Sequence, residues 1–177
     1  MQSPDSELGM CAIAHHPADY DPRESEPFNL LQVEIDKLAS MHASGSTDWS
    51  KVADLASRYL REEAKDLTVA VWLAAAWLHT AGGTGASAAA QVLKDLVQHH
   101  WETLLPARPR ARRNQLVWLE DVVERFMGAE QELPPLSEDD YAALSQQWRD
   151  LDAAWRAVDE EAPSFASFTT RFAQWPV

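Results

Sequence analysis

"KDLTVAVWLAAAWLH", Lys65–His79, contains a run from Leu67 to Leu78 in which Thr68 is the one residue that is not apolar. In a chain with 15 basic and 28 acidic side chains, such a run calls for cover. As a helix it reaches only about 18 Å, short of the roughly 30 Å hydrocarbon core of a bilayer. It does not span a membrane. A central strand, a helix enclosed by protein on every side, and a surface awaiting a partner remain. Asp66 is placed to cap a helix start, and "AGGTG" at 81–85 supplies glycines where a helix is expected to end. Four alanines beside two tryptophans also favour helix over sheet, because alanine has high helix propensity and is depleted in strands. The run reads as a helix buried all round, whose neighbours must cover it.

Those neighbours are legible on both sides. Phe28, Leu31, Ile35, Leu38 and Met41 advance by three or four residues and close near "ASGSTD". Val52, Leu55, Ala56, Tyr59 and Leu60 repeat the pattern behind a capping Asp48. Further stripes are Val92, Leu93, Leu96, Val97, Trp101 and Leu104, then Leu116, Leu119, Val122, Val123 and Phe126 before Gly128. After "ELPPL", Ser137 and Asp140 form a start signal related to a capping box. Tyr141, Leu144, Trp148, Leu151, Trp155 and Val158 continue as a coiled-coil-type seam. That seam reads as packing within the chain, with a weak antiparallel homodimer as the alternative. Phe165, Phe168, Phe172 and Trp175 end the series.

The expectation is an all-α fold: a compact bundle of six or seven antiparallel helices, as stacked hairpins, around the buried central helix. Residues 1–24, with Pro4, Gly9, Pro17 and Pro22, read as an irregular arm. Residues 25–128 form the helical core, and 129–177 a C-terminal helical extension packing on it. No stretch alternates long enough for a sheet, and no fixed period marks a solenoid.

At 177 residues the chain suits one domain, and 46% hydrophobic residues including eight Trp exclude disorder. A net charge of −13 repels nucleic acid and anionic membrane before any local patch acts, so basic protein surfaces are the fitting partners. Cys11 is the only cysteine, which excludes an intramolecular disulfide and points to a reducing compartment, the cytoplasm. The N-terminus lacks the basic and apolar regions of a secretory signal, so any action at a membrane implies recruitment rather than insertion.

Candidate chemistry is sparse. Cys11, His15, His16, Asp19 and Asp21 crowd within one short segment, and a small metal-dependent enzyme built on them is the alternative to a binding domain. Structural zinc, however, takes four ligands with paired Cys or His spacing, and a single thiol does not supply them. His99 and His100 occupy consecutive helical positions and point apart. "GGTG" lacks the Lys and Ser/Thr of a phosphate loop, no Ser-His-Asp pattern is present, and no catalytic residue, metal or cofactor is expected. Trp72, Trp77, Trp101 and Trp118 read as core rings pinning helices together. Lys65 and Asp66 read as a helix joint, Asp66 capping one helix and Lys65 meeting carbonyls at the end of the other. In "ARPRARRNQ", Arg108, Arg110 and Arg113 are the candidates for gripping a partner's carboxylates, while Arg112 is read as an internal contact. From Glu130 to Glu161 ten acids face two arginines, which reads as a solvated helix face rather than a docking surface.

Several marks coincide in order: Trp49 and Val52; Lys65, Asp66 and Leu67; Trp72 and Leu73; Gly82 and Gly85; Trp101 and Pro106; Arg112, Asn114, Trp118 and Leu119. With the leading "DYDPRESEPF", residues 15 to 127 resemble the ImpA-related N-terminal domain of the TssA-type proteins of bacterial type VI secretion systems. The resemblance implies a non-catalytic scaffold that contacts baseplate, sheath or membrane-complex components, in the cytoplasm or at the inner face of the inner membrane. A generic helical adaptor unrelated to secretion shares the same physics. The family's ring-forming C-terminal domain has no counterpart here, so the chain reads as an excised domain or a short relative.

Overall fold

The computed structural model describes residues 4–13, 16–39 and 46–177, leaving Met41 of the first stripe and His15 of the N-terminal cluster outside the described residues. Six α-helices succeed one another among them: α1 Glu26–Ala39, α2 Trp49–Glu62, α3 Leu67–His100, α4 Pro109–Gly128, α5 Glu138–Val158 and α6 Ala166–Phe172. A 3-10 turn at Pro22–Glu24 precedes α1.

The apolar run is the axle of the bundle. Every side chain from Leu67 to Leu78 is buried. Helices α2, α4 and α5 pack directly on α3, α1 packs on α2, and α6 closes over α4 and α5. The cover comes from the expected stripes: Val52, Ala56, Tyr59 and Leu60 on α2, Leu116, Leu119 and Val123 on α4, and Leu144, Trp148, Leu151 and Trp155 on α5. Each enclosed side chain of this size contributes about 1.5–3 kcal/mol, whereas a helix cap contributes about 1 kcal/mol. Packing therefore holds α3 in place, and the caps set where helices begin. Asp48 accepts from the Lys51 amide, Asp66 from that of Thr68, and Ser137 from that of Asp140.

The glycines act differently from the expectation that they end the helix. Gly82 takes φ 62°, ψ −138°, a conformation open essentially to glycine, and the helix bends there and resumes at once. Ala86, Ala88, Ala89 and Ala90 lie just past the bend and favour helix strongly, so nothing opposes the restart. A Cβ on Gly85 would lie 2.2 Å from the Trp77 carbonyl oxygen, so this close approach admits only hydrogen. The two stripes expected on separate helices thus share one bent helix of 34 residues. It stops at His100, so Trp101 and Leu104 lie in the turn beyond rather than on a helical face. Of the seam on α5, Val158 is exposed instead of packed.

The N-terminal arm is irregular in backbone but its Leu8 is wholly enclosed. The extension packs back through named contacts: the Trp148 indole donates to the Ala86 carbonyl at 3.1 Å, and Trp155 meets Trp101 edge to face with centroids 5.6 Å apart. Phe165, Phe168, Phe172 and Trp175 are all buried.

Candidate functional site

Two polar joints hold the elements that carry the family-like marks. At the first, Lys65 and Asp66 link α2 to α3. Asp66 is fully buried, and its carboxylate takes the Thr68 amide, the Tyr59 hydroxyl at 3.1 Å and a two-pronged contact from Arg23 at 3.0 and 3.1 Å. Burial and the adjacent Asp66 charge push the Tyr59 phenol well above its ordinary range. The Lys65 ammonium donates to the carbonyls of Leu60 at 2.9 Å and Leu8 at 2.7 Å and lies 3.3 Å from the Cys11 sulfur. Burial pushes this lysine below its usual range. The arm is thereby tied to the core by both its 3-10 turn and its Leu8 segment.

The second joint connects α3 to α4. Leu105 is stitched to the first joint by backbone bonds, the Leu67 amide donating to its carbonyl at 2.7 Å and its own amide donating to the Lys65 carbonyl at 3.2 Å. Pro109 opens α4, where its missing N–H costs nothing. Arg112 turns inward: it donates to the carbonyls of Leu104 at 2.6 Å and Pro106 at 2.7 Å and lies over the Trp101 ring, 4.4 Å from the centroid. Burial lowers its proton affinity, with Glu102 opposing.

Arg113 is occupied within the chain rather than held out for a partner. It grips Asp159 at 2.9 and 3.2 Å and reaches Glu161 at 3.2 Å, fastening the end of α5 onto α4. The hydrogen bond from Arg113 holds the Asp159 carboxyl below the usual carboxylate range, and Asp159 raises Arg113 in return. Arg108 and Arg110 remain exposed, with no ion pair or side-chain hydrogen bond among the described residues. Arg108 is the N-cap residue of α4 and Arg110 lies in its first turn, whose base the two joints hold.

The remaining sequence candidates are spread over core and surface. Trp72 and Leu73 are core, and Trp72 packs against Phe28 with centroids 5.5 Å apart. Asn114 is exposed, while Trp101 and Trp118 are only half-buried. Trp49 stacks on His79 at 4.4 Å, and with Leu38, Trp118, Val122 and Phe126 these rings line a groove of about 310 Å³. The N-terminal cluster is dispersed: Cys11 donates to Leu8, His16 contacts the Glu62 carbonyl, and Asp21 accepts from the Arg23 amide. No group of three His, Cys, Asp or Glu suited to a metal occurs among the described residues. No helix among them is long and apolar enough to cross a membrane.

Asp66 as a helix cap and Arg112 as an internal contact follow from the sequence, whereas the Tyr59 and Arg23 contacts to Asp66 do not. Nor does the place of Glu34: it is buried at the α1–α2 joint, accepting from the Asp48 amide at 3.0 Å and from Lys37 at 2.9 Å. A lone glutamate on an amphipathic helix gives no sign of that.

A family model described as ImpA, N-terminal, type VI secretion system matches residues 13–121. Among solved structures, the chain is similar to the N-terminal domain, including the conserved ImpA_N region, of the TssA component of the type VI secretion system from Burkholderia cenocepacia. That match has a TM-score of 0.67 at 20% identity and covers 97% of this chain and 90% of that one. No curated protein matches the chain.

Proposed function

Since the chain belongs to the ImpA N-terminal family of type VI secretion system components, we propose that it is a non-catalytic scaffold domain. It docks on other proteins of the machine through Arg108 and Arg110. The observation that carries this reading is the pair of guanidinium groups at the start of α4 that have no partner among the described residues, set on a base that Arg112, Arg113 and Leu105 hold in place. The planar guanidinium fork matches a carboxylate in two-pronged geometry, so such groups suit carboxylates on a partner. The partner presents carboxylates opposite Arg108 and Arg110 within the otherwise basic surface that a net charge of −13 favours, on a baseplate, sheath or membrane-complex component, and the domain works on the cytoplasmic side, recruited to the inner membrane where that partner resides. The chain's overall negative charge makes the patch selective, because those carboxylates in any other orientation are repelled.

The test is capture of candidate baseplate, sheath and membrane-complex proteins by the chain as bait, with and without Arg108→Glu/Arg110→Glu. Specific capture that the double reversal weakens at least tenfold, with an unchanged thermal midpoint, is expected. Capture that the reversal leaves intact would show that another face carries the interaction.

A further inference from the structure

Helix α1 lies at the edge of the bundle, packed on α2 and the 3-10 turn. Its inner side carries Pro27, Phe28, Leu31, Glu34 and Ile35. On the outside, Glu26, Leu30, Val33 and Lys37 recur at steps of four, three and four residues, which places them on one stripe of the helix. Leu30 is 36% exposed and Val33 58% exposed, although both are aliphatic. The order along the stripe is acid, apolar, apolar, base.

That order is self-complementary under a two-fold axis. When two such helices lie antiparallel, with the axis between Leu30 and Val33, Leu30 of one copy meets Val33 of the other. Glu26 of each then meets Lys37 of its partner. A parallel arrangement would set like charges together. An isologous contact repeats each pairing twice, so the stripe yields a closed apolar centre flanked by two ion pairs. Lys37 already holds the buried Glu34 at 2.9 Å, which fixes its side chain along the helix with part of it open to solvent. From this charge order and the two part-exposed aliphatic residues we propose that α1 is a two-fold contact between copies of this chain.

The contact is separate from the Arg108/Arg110 face, so either can fail without the other. It is also weak taken alone. A standard stable interface buries about 800 Å² per partner, and a stripe of four side chains on a single helix covers much less. Its effect is therefore greatest where copies are already held close, as on a repeating assembly, where effective concentration replaces affinity.

Sedimentation equilibrium over a rising range of concentrations tests the proposal, with Val33→Glu as the disrupting variant. A second arm uses Leu30→Cys/Val33→Cys in a Cys11→Ser background, with Gln32→Cys in that background as the off-axis control. The expected result is concentration-dependent mass growth in the wild type, lost in Val33→Glu, and disulfide-linked dimer in the paired variant at least tenfold faster than in the control. Because Val33 is exposed, Val33→Glu should keep the wild-type thermal midpoint, which separates lost association from unfolding. A wild type that stays monomeric throughout, growth that Val33→Glu leaves intact, or equal cross-linking in the control overturns it.

Discussion

Asp66→Ala should be the most damaging substitution at the joint between α2 and α3, and its cost can be worked from the contacts. The carboxylate is wholly enclosed and answers three donors: the Thr68 amide, the Tyr59 hydroxyl and the Arg23 guanidinium. Losing the cap costs about 1 kcal/mol. Orphaning the buried Tyr59 hydroxyl costs about 1–3 kcal/mol. Arg23 is 35% exposed and regains water, so its share is held to about 1 kcal/mol. Together these give roughly 3–5 kcal/mol, matching the range for breaking one side of a buried ion pair. In a chain of this size that lowers the thermal midpoint by roughly 6–20 °C. Urea unfolding monitored by far-UV circular dichroism gives the free energy directly, and a cycle with Tyr59→Phe tests the reasoning behind it. In the wild type, Tyr59→Phe should cost about 1 kcal/mol; in Asp66→Ala it should cost nothing or restore stability, since it removes the orphaned hydroxyl. An Asp66→Ala loss below about 1 kcal/mol, or additivity of the two changes within about 0.3 kcal/mol, would refute the hub.

Three further outcomes are expected. Glu34 is held below the ordinary carboxylate range, chiefly by the Asp48 amide, so its unfolded form binds a proton first as pH falls. Its stabilisation is complete above about pH 4.3 and is lost as pH drops through the lowered folded value, so Glu34→Gln should flatten the acid limb of a stability–pH curve. Gly85→Ala should cost about 1–3 kcal/mol by forcing Trp77 and the α3 bend apart, and a urea midpoint equal to wild type would show that the close approach is not maintained in solution. Arg112→Lys should lose about 2–4 kcal/mol despite keeping the charge, because an ammonium cannot serve two carbonyls and the Trp101 face together; calorimetry showing full rescue by lysine would count against the fork geometry.

Local signals carried most of the architecture. The period of three and four residues located every helix, and Asp48, Asp66 and Ser137 marked starts that the structure places within a residue. The inward role of Lys65 was also legible, because a cation beside a helix end has few other duties. What escaped depends on partners remote in sequence. Leu8 sits in a segment with no period, yet it is wholly enclosed and its carbonyl accepts from Lys65, 57 residues on. Arg113 looks like its neighbours Arg108 and Arg110 until Asp159, 46 residues on, is brought beside it. The glycines at 81–85 read as a helix end, but only Gly82 leaves helical geometry, and the alanines beyond it let the helix resume. There Trp148 donates to Ala86 just beyond the bend.

The same distinction explains why a docking role fits this architecture. The polar residues that match the family-like marks and lie buried, Lys65, Asp66 and Arg112, are directed at backbone carbonyls, a helix start and an internal ion pair. They set the relative positions of the arm, α2, α3 and α4. The outward-facing groups are carried on rigid supports and differ in kind from place to place: free guanidinium groups at the start of α4, and an ordered acid–apolar–base stripe on α1. Weak surface contacts that form in solution at high concentration gain further when several are met at once, which is the condition inside a multi-protein assembly.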